Sequence, residues 1–147
     1  MNVLSSLDLE QLVKQYKINN FNGIFSKDLL PDILREGWYI INLQDHDKGN
    51  GTHWAIFKIT NDKVNIYFDS FNFVAPHSVS EKIKPYIYND KQIQDVDSSA
   101  CGWYCIACMD YVEKHNVFGD ILAFKEFINK FSKNTDFNDG ILYKCLK

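Results

Sequence analysis

The sequence predicts an α+β fold: a small mixed central sheet flanked by helices, with a cysteine at the N-terminus of one of them. Three observations lead there. Two apolar segments, 38–43 and 53–59, are rich in β-branched and aromatic residues and are separated by a polar, glycine-bearing stretch. From Cys101 onward the apolar period changes from that of a strand to that of a helix. The chain has 147 residues, 46% of them hydrophobic, which suffices for one well-filled core.

The elements follow in order. Leu7, Leu9, Leu12, Val13 and Tyr16 lie near helical spacing, so residues 7–18 should form a helix, with Ser5, Ser6 or Asp8 at its start. Asn19, Asn20, Asn22 and Gly23 break it. Ser26-Lys27-Asp28 offers a cap to a short helix over 29–36, where Pro31 falls in the first turn. Residues 38–43 form a strand, and a polar loop runs from Asp45 to Thr52, punctuated by Gly49 and Gly51. Residues 53–59 are nearly all apolar, as a central strand covered on both faces requires. After a turn at 60–63, residues 64–69 should return as its antiparallel partner. A helix over 78–86 is closed by Pro85, and 91–96 reads as a short strand. Cys101, Tyr104, Cys105, Cys108, Met109 and Val112 make one stripe of a helix reaching about Lys114, preceded by Asp97, Ser98 and Ser99 as capping residues. A last helix should span 121–131. With neither internal repeat nor linker-like run, residues 1–147 read as a single domain.

Charge and cysteine usage narrow the function. Sixteen basic against 19 acidic residues give a formal charge of −3, which counts against a dedicated nucleic-acid binder. The opening residues lack a basic n-region and an apolar h-region, and no apolar run is long enough for a membrane span. A chain that is neither secreted nor membrane-bound is expected, in a reducing compartment. Three of the four cysteines lie within eight residues, a poor disulfide framework, so free thiols are expected.

The thiols differ by position. Cys105 and Cys108 fall within the apolar stripe and read as core. As a C-x-x-C pair they also admit a zinc-binding or thiol-redox module. Zinc would need further ligands, and redox chemistry would want the first cysteine at the helix N-terminus. Cys101 holds that terminus instead. Free backbone N–H groups and the helix dipole stabilise a thiolate there, and Gly102 lets a substrate backbone approach. A cysteine nucleophile needs an imidazole and an acceptor to orient it. His53 stands where a glycine-rich loop meets a buried strand, and Asp69 ends the paired strand of the same hairpin. The other histidines, His46, His77 and His115, sit in polar or loop contexts. Gln94, seven residues before Cys101, could donate to an oxyanion together with the Cys101 N–H.

Gly51-Thr52-His53-Trp54, Tyr67-Phe68-Asp69-Ser70-Phe71, Gln94 and Ser99-Ala100-Cys101-Gly102-Trp103 together resemble the adenovirus-type maturation proteases. More distantly they resemble the SUMO- and ubiquitin-like-specific cysteine proteases. The order His, acidic residue, Gln, Cys is shared by that group. Similarity runs over roughly residues 5–115, and residues 116–147 match nothing comparable. The resemblance implies a cysteine endopeptidase with His53 as general base, Asp69 as its orienter, Cys101 as nucleophile and Gln94 in the oxyanion hole. It further implies Gly51, Trp54 and Gly102 at the substrate, with Trp54 walling a narrow channel that accepts glycine.

On this reading the substrates are capsid or core precursor polypeptides, and the protein is a monomer in the virion and the host-cell cytoplasm. Removal of ubiquitin-like modifiers is the alternative within enzymes. The adenoviral glutamate is replaced by Asp69, as in the SUMO-protease branch. The peptide and DNA activators of the adenoviral enzyme lack a receiving cysteine between His53 and Cys101 and a clear basic run. No cofactor and no metal are expected.

Overall fold

In a computed structural model, which describes residues 1–44 and 53–147, a five-stranded sheet is covered by helices on both faces. The strands are β1 (Phe21–Ser26), β2 (Gly37–Asn42), β3 (Trp54–Ile59), β4 (Asn65–Phe68) and β5 (Tyr86–Tyr88), and they lie in sequence order. The sheet is mixed. The two inner pairings, β2 with β3 and β3 with β4, are antiparallel, and the outer ones, β1 with β2 and β4 with β5, are parallel. The helices are α1 (Ser6–Gln15), α2 (His77–Ile83), α3 (Cys101–His115), α4 (Asp120–Asn129) and α5 (Asn138–Cys145).

Two cores explain the unbroken apolar runs. Trp38, Ile40, Trp54, Ile56, Ile66 and Phe68 point into the larger core, beneath α1, α3 and α4. Their strand neighbours Tyr39, Ile41, Ala55, Phe57 and Tyr67 point the other way, onto Val79 and Ile83 of α2. Alternation in a strand covered on both faces places apolar side chains at every position, as β3 shows from Trp54 to Phe57. Lys58 is the exception. Its ammonium is buried on the larger-core side and held by Glu113 at 2.6 Å and Asp120 at 3.0 Å, tying β3 to α3 and α4.

Several expectations change. Residues 29–36 are not helical. Pro31 disfavours helix at Leu30 before it, and the chain is drawn along the sheet by side-chain bonds instead. Asn22 Nδ2 donates to the carbonyls of Arg35 and Glu36, and the Arg35 N–H donates to Tyr39 Oη. The stretch around Gly23, read as a helix breaker, is strand β1 with a bulge at Phe21/Gly23. The helix expected over 78–86 ends at Ile83, and strand β5 follows. Residues 91–96 form no strand, because the N–H groups of Ile93 and Gln94 both donate to the Ser70 carbonyl rather than to a ladder. Helix α5 was not anticipated. At α1 it is Ser5 that caps, in a reciprocal capping box with Asp8.

Candidate active site

Cys101 is the first residue of α3 and is 4% exposed. The helix forms there because its stripe of Cys101, Tyr104, Cys105, Cys108, Met109 and Val112 packs into the larger core. None of Asp97, Ser98 and Ser99 caps the helix. The N-cap is Ala100, without a side-chain bond, which leaves the first-turn N–H groups free for another acceptor.

His53 directly precedes β3, and its carbonyl accepts from the Leu43 N–H at the end of β2. Because β3 and β4 are antiparallel with Ile56 opposite Phe68, the residues before β3 and after β4 meet at one end of the sheet. There His53 Nε2 lies 2.7 Å from Asp69 Oδ1. Asp69 is 1% exposed, and the same oxygen accepts from the Phe71 N–H at 2.8 Å. Its main chain is clamped by buried Asn89, whose Oδ1 accepts from the Asp69 N–H and whose Nδ2 donates to the Asp69 carbonyl. Phe71 and Phe73 pack on the imidazole, with ring centroids at 4.9 and 5.7 Å.

The electrostatics of His53 tie the three residues together. Burial opposes its charged form. The hydrogen bond to Asp69, the hydrogen-bonding interaction with Cys101 and the charges of both outweigh burial and raise the pKa from 6.5 to about 9. A carboxylate only accepts, so Nε2 carries a proton toward Asp69 and Nδ1 is the ring nitrogen left for Cys101. Nδ1 is buried and has no other hydrogen-bond partner, which leaves it to the Cys101 side chain. Such contacts tighten when a substrate binds.

Gln94 is fully buried beside this group. Ser70 Oγ donates to its Oε1 at 2.6 Å, and its Nε2 donates to the Ser98 carbonyl at 2.9 Å. A carbonyl cannot donate, so this pairing fixes which end of the carboxamide faces Ser98. Trp54 is 4% exposed and donates from Nε1 to the Leu4 carbonyl at 2.8 Å. It lines a groove of about 610 Å³ together with Leu4, Ser5, Phe25, Ser26 and Asn42.

Gly102 is a correction. A Cβ there would meet Leu4 Cδ1 at 3.0 Å and Leu9 Cδ2 at 3.3 Å, so the missing side chain serves packing of the N-terminal segment on α3 rather than substrate approach. Gly51, with the loop 45–52 and His46, lies outside the described residues.

Cys105 and Cys108 are fully buried, and desolvation pushes both thiols well up. Enclosure on all sides leaves no room for further ligands or for a thiol partner, which removes the physical basis of the zinc or redox module. Among the described residues no group of three or more His, Cys, Asp or Glu side chains could hold a metal ion. All four cysteines are free. Among the described residues no helix is long and apolar enough to cross a membrane.

Sequence reasoning did not find Asn89, Phe71, Phe73, Ser70 or Ser98 as parts of this site. Phe71 and Phe73 carried a signal, being large apolar residues just after the acidic one. Asn89, Ser70 and Ser98 act through hydrogen bonds to scattered partners, which leave no periodicity.

The fold and the site define an α+β protein with a Cys–His–Asp constellation at one end of a mixed sheet. No family model matches the chain, and no curated protein matches it. A solved structure described as AvrA delL154 with IP6 and CoA is similar in chain arrangement, at 16% identity and a TM-score of 0.47. The match covers 94% of this chain and 53% of that one, so the present chain spans about half its length. At that identity and overlap the likeness says nothing of chemistry.

Proposed function

We propose that the protein is a cysteine endopeptidase that cleaves polypeptides at glycine-containing sites by acyl transfer through a thioester. The observation that carries this reading is the pairing of His53 Nε2 with buried Asp69, on an imidazole that also responds to the thiol of Cys101 at a helix N-terminus. With a pKa of about 9 the ring is protonated at neutral pH, so it would pair with a thiolate on Cys101 and hold the proton that the leaving amine needs.

The Cys101 sulfur attacks the scissile carbonyl, forming a C–S bond. The resulting oxyanion is met by the Cys101 N–H together with the side-chain amide of Gln94, which Ser70 and Ser98 hold in the loop before Cys101. Collapse breaks the C–N bond as His53 passes its proton to the amine. Water then gives a proton to the imidazole and attacks the thioester, and collapse of that adduct breaks the C–S bond, releasing the acid and restoring the thiolate beside a protonated His53. The groove beside Trp54 is the candidate for the acyl side of the substrate, and the preference for glycine follows from the sequence resemblance at His53-Trp54.

The ordered resemblance at His53, Asp69, Gln94 and Cys101 supports capsid or core precursors as the substrates, with the protein acting in the virion and the host-cell cytoplasm. The test pairs glycine-containing precursor peptides with ubiquitin and SUMO fluorogenic substrates. Turnover of the peptides, abolished by Cys101→Ala and unaffected by chelators, is the expected result. Turnover of the modifier substrates alone would replace precursor processing by isopeptidase action. A Cys101→Ala variant as active as the wild type would overturn the assignment altogether.

A further inference from the structure

The C-terminal residues, which the sequence resemblance leaves unassigned, are joined to the loop that carries Gln94. Thr135 Oγ1 donates to Asp95 Oδ1 at 2.7 Å. Asn138, fully buried at the start of α5, donates from Nδ2 to the carbonyls of Ile93 and Ser132, both at 2.8 Å. Asp139, in the first turn of α5, accepts at Oδ1 from Ser98 Oγ at 3.1 Å and from Tyr104 Oη at 2.8 Å.

Ser98 is the hinge of this arrangement. A hydroxyl has one proton and two lone pairs. Ser98 Oγ gives its proton to Asp139, so its lone pairs are left to face the Ala100 N–H at 3.2 Å and Gln94 Nε2 at 3.4 Å. The same residue's carbonyl accepts from Gln94 Nε2. Ser98 therefore touches both the oxyanion candidate and the residue immediately before the nucleophile, and Asp139 decides which way its hydroxyl turns. Without that acceptor the hydroxyl proton can rotate toward Gln94 Nε2 or the Ala100 N–H, where two donors would oppose each other.

We propose that Asp139 is a positioning residue for the oxyanion loop, fixing the Ser98 hydroxyl as an acceptor so that Gln94 and the approach to Cys101 keep their geometry. This rests on the peptidase reading of Gln94 and Cys101. Loss of a complete oxyanion donor lowers kcat by about 10²–10³. Loosening one that stays in place should lower kcat about tenfold, with KM changed less than about twofold.

Asp139→Ala, Asp139→Asn and Tyr104→Phe are compared in the full chain. Tyr104→Phe removes the other bond to Asp139 and leaves Ser98 untouched, so it reports the stability cost alone. Asp139→Asn keeps an acceptor oxygen and should restore kcat to within about threefold. Iodoacetamide alkylation of Cys101 displaces iodide at a saturated carbon and builds no oxyanion, so its rate should not follow the loss in kcat. Independently of turnover, amide spectra should show the Ala100 N–H and Gln94 side-chain signals shifted, and the Ala100 N–H less protected, in Asp139→Ala but not in Tyr104→Phe. Equal kcat losses in Asp139→Ala and Tyr104→Phe, no rescue by Asp139→Asn, or unchanged Ala100 and Gln94 signals would each overturn the proposal. If Asp139→Ala does not fold, Ser98→Ala removes the same link and is read the same way. A wild-type protein without turnover and without selective Cys101 alkylation would instead defeat the peptidase reading, and the spectra would still decide the positioning role.

Discussion

Replacing Asp69 by Asn tests the central pairing through its proton linkage. His53 has a folded-state pKa of about 9 against 6.5 for the free side chain, with the Asp69 hydrogen bond as its largest raising cause. The difference of about 2.5, at about 1.4 kcal/mol per pKa unit, corresponds to roughly 3 kcal/mol of coupling between protonation and folding. The sign is fixed by the direction. A raised pKa means that the folded protein holds the proton more tightly than the unfolded chain does. The contribution is present in full below about pH 6.5 and is lost as pH rises through about 9. Urea unfolding of the wild type from pH 6 to 9.5 should therefore show stability falling over that window, beyond the trend of the Asp69→Asn variant. The His53 ring signals, followed by NMR, should titrate near 9 in the wild type and well below that in Asp69→Asn. The kcat/KM profile should fall on the alkaline side over the same range, as the proton for the leaving amine is lost. A wild-type His53 that titrates at 6.5 or lower, or an Asp69→Asn protein with an unchanged midpoint, would refute the reasoning.

Brief iodoacetamide treatment at neutral pH, mapped by mass spectrometry, should label Cys101 first. Cys105 and Cys108 should react only after unfolding, because burial and a raised pKa both suppress their thiolates. Gly102→Ala should destabilise the fold by about 1–3 kcal/mol in thermal or urea unfolding, because its Cβ would press on Leu4 and Leu9. Lys58→Ala should cost about 3–5 kcal/mol in the same assay, since it strands Glu113 and Asp120 as nearly buried carboxylates without their cation.

What the sequence disclosed follows from how far each interaction spreads along the chain. Strands β2 and β3 were legible because burial on both faces writes itself into five successive positions, and α3 because its stripe repeats over three turns. The neighbourhood of His53 and Asp69 was legible because a hairpin of known turn places its open ends together. Strand β1 was hidden by Asn20, Asn22 and Gly23, where one bulge lets breaker residues sit in a parallel edge strand. Residues 91–96 have strand composition but no partner strand, and their N–H groups go to Ser70. Gly102 misled because a glycine beside a nucleophile looks the same in sequence whether it faces a substrate or a leucine. Helix α5, with Gly140 in its first turn and half-exposed apolar residues, carries a weak pattern, and so Asp139 went unread.

The site is built from two bodies that have no covalent reason to stay in register. The sheet supplies His53 and Asp69 through the ends of β3 and β4, whereas α3 supplies Cys101 and the loop before it supplies Gln94. Besides the core they share, two sets of polar contacts hold these bodies together. Lys58 joins the far end of β3 to Glu113 near the end of α3 and to Asp120 of α4, while Ser70, just past Asp69, takes the Gln94 side chain and the Ile93 and Gln94 N–H groups. The first is distant from the chemistry and sets the tilt of α3 on the sheet. The second is local and sets the spacing of the oxyanion donor from the His–Asp pair. A lever follows from this division: Lys58→Ala should weaken folding while the surviving folded fraction keeps its Cys–His geometry. Ser70→Ala should leave folding nearly intact and lower kcat, because it frees the Gln94 carbonyl end that orients the amide. Measuring unfolding free energy and kcat for both variants separates the two roles. Equal ranking of the variants in both measurements would mean that the site has no local registry of its own and depends on the sheet–helix packing alone.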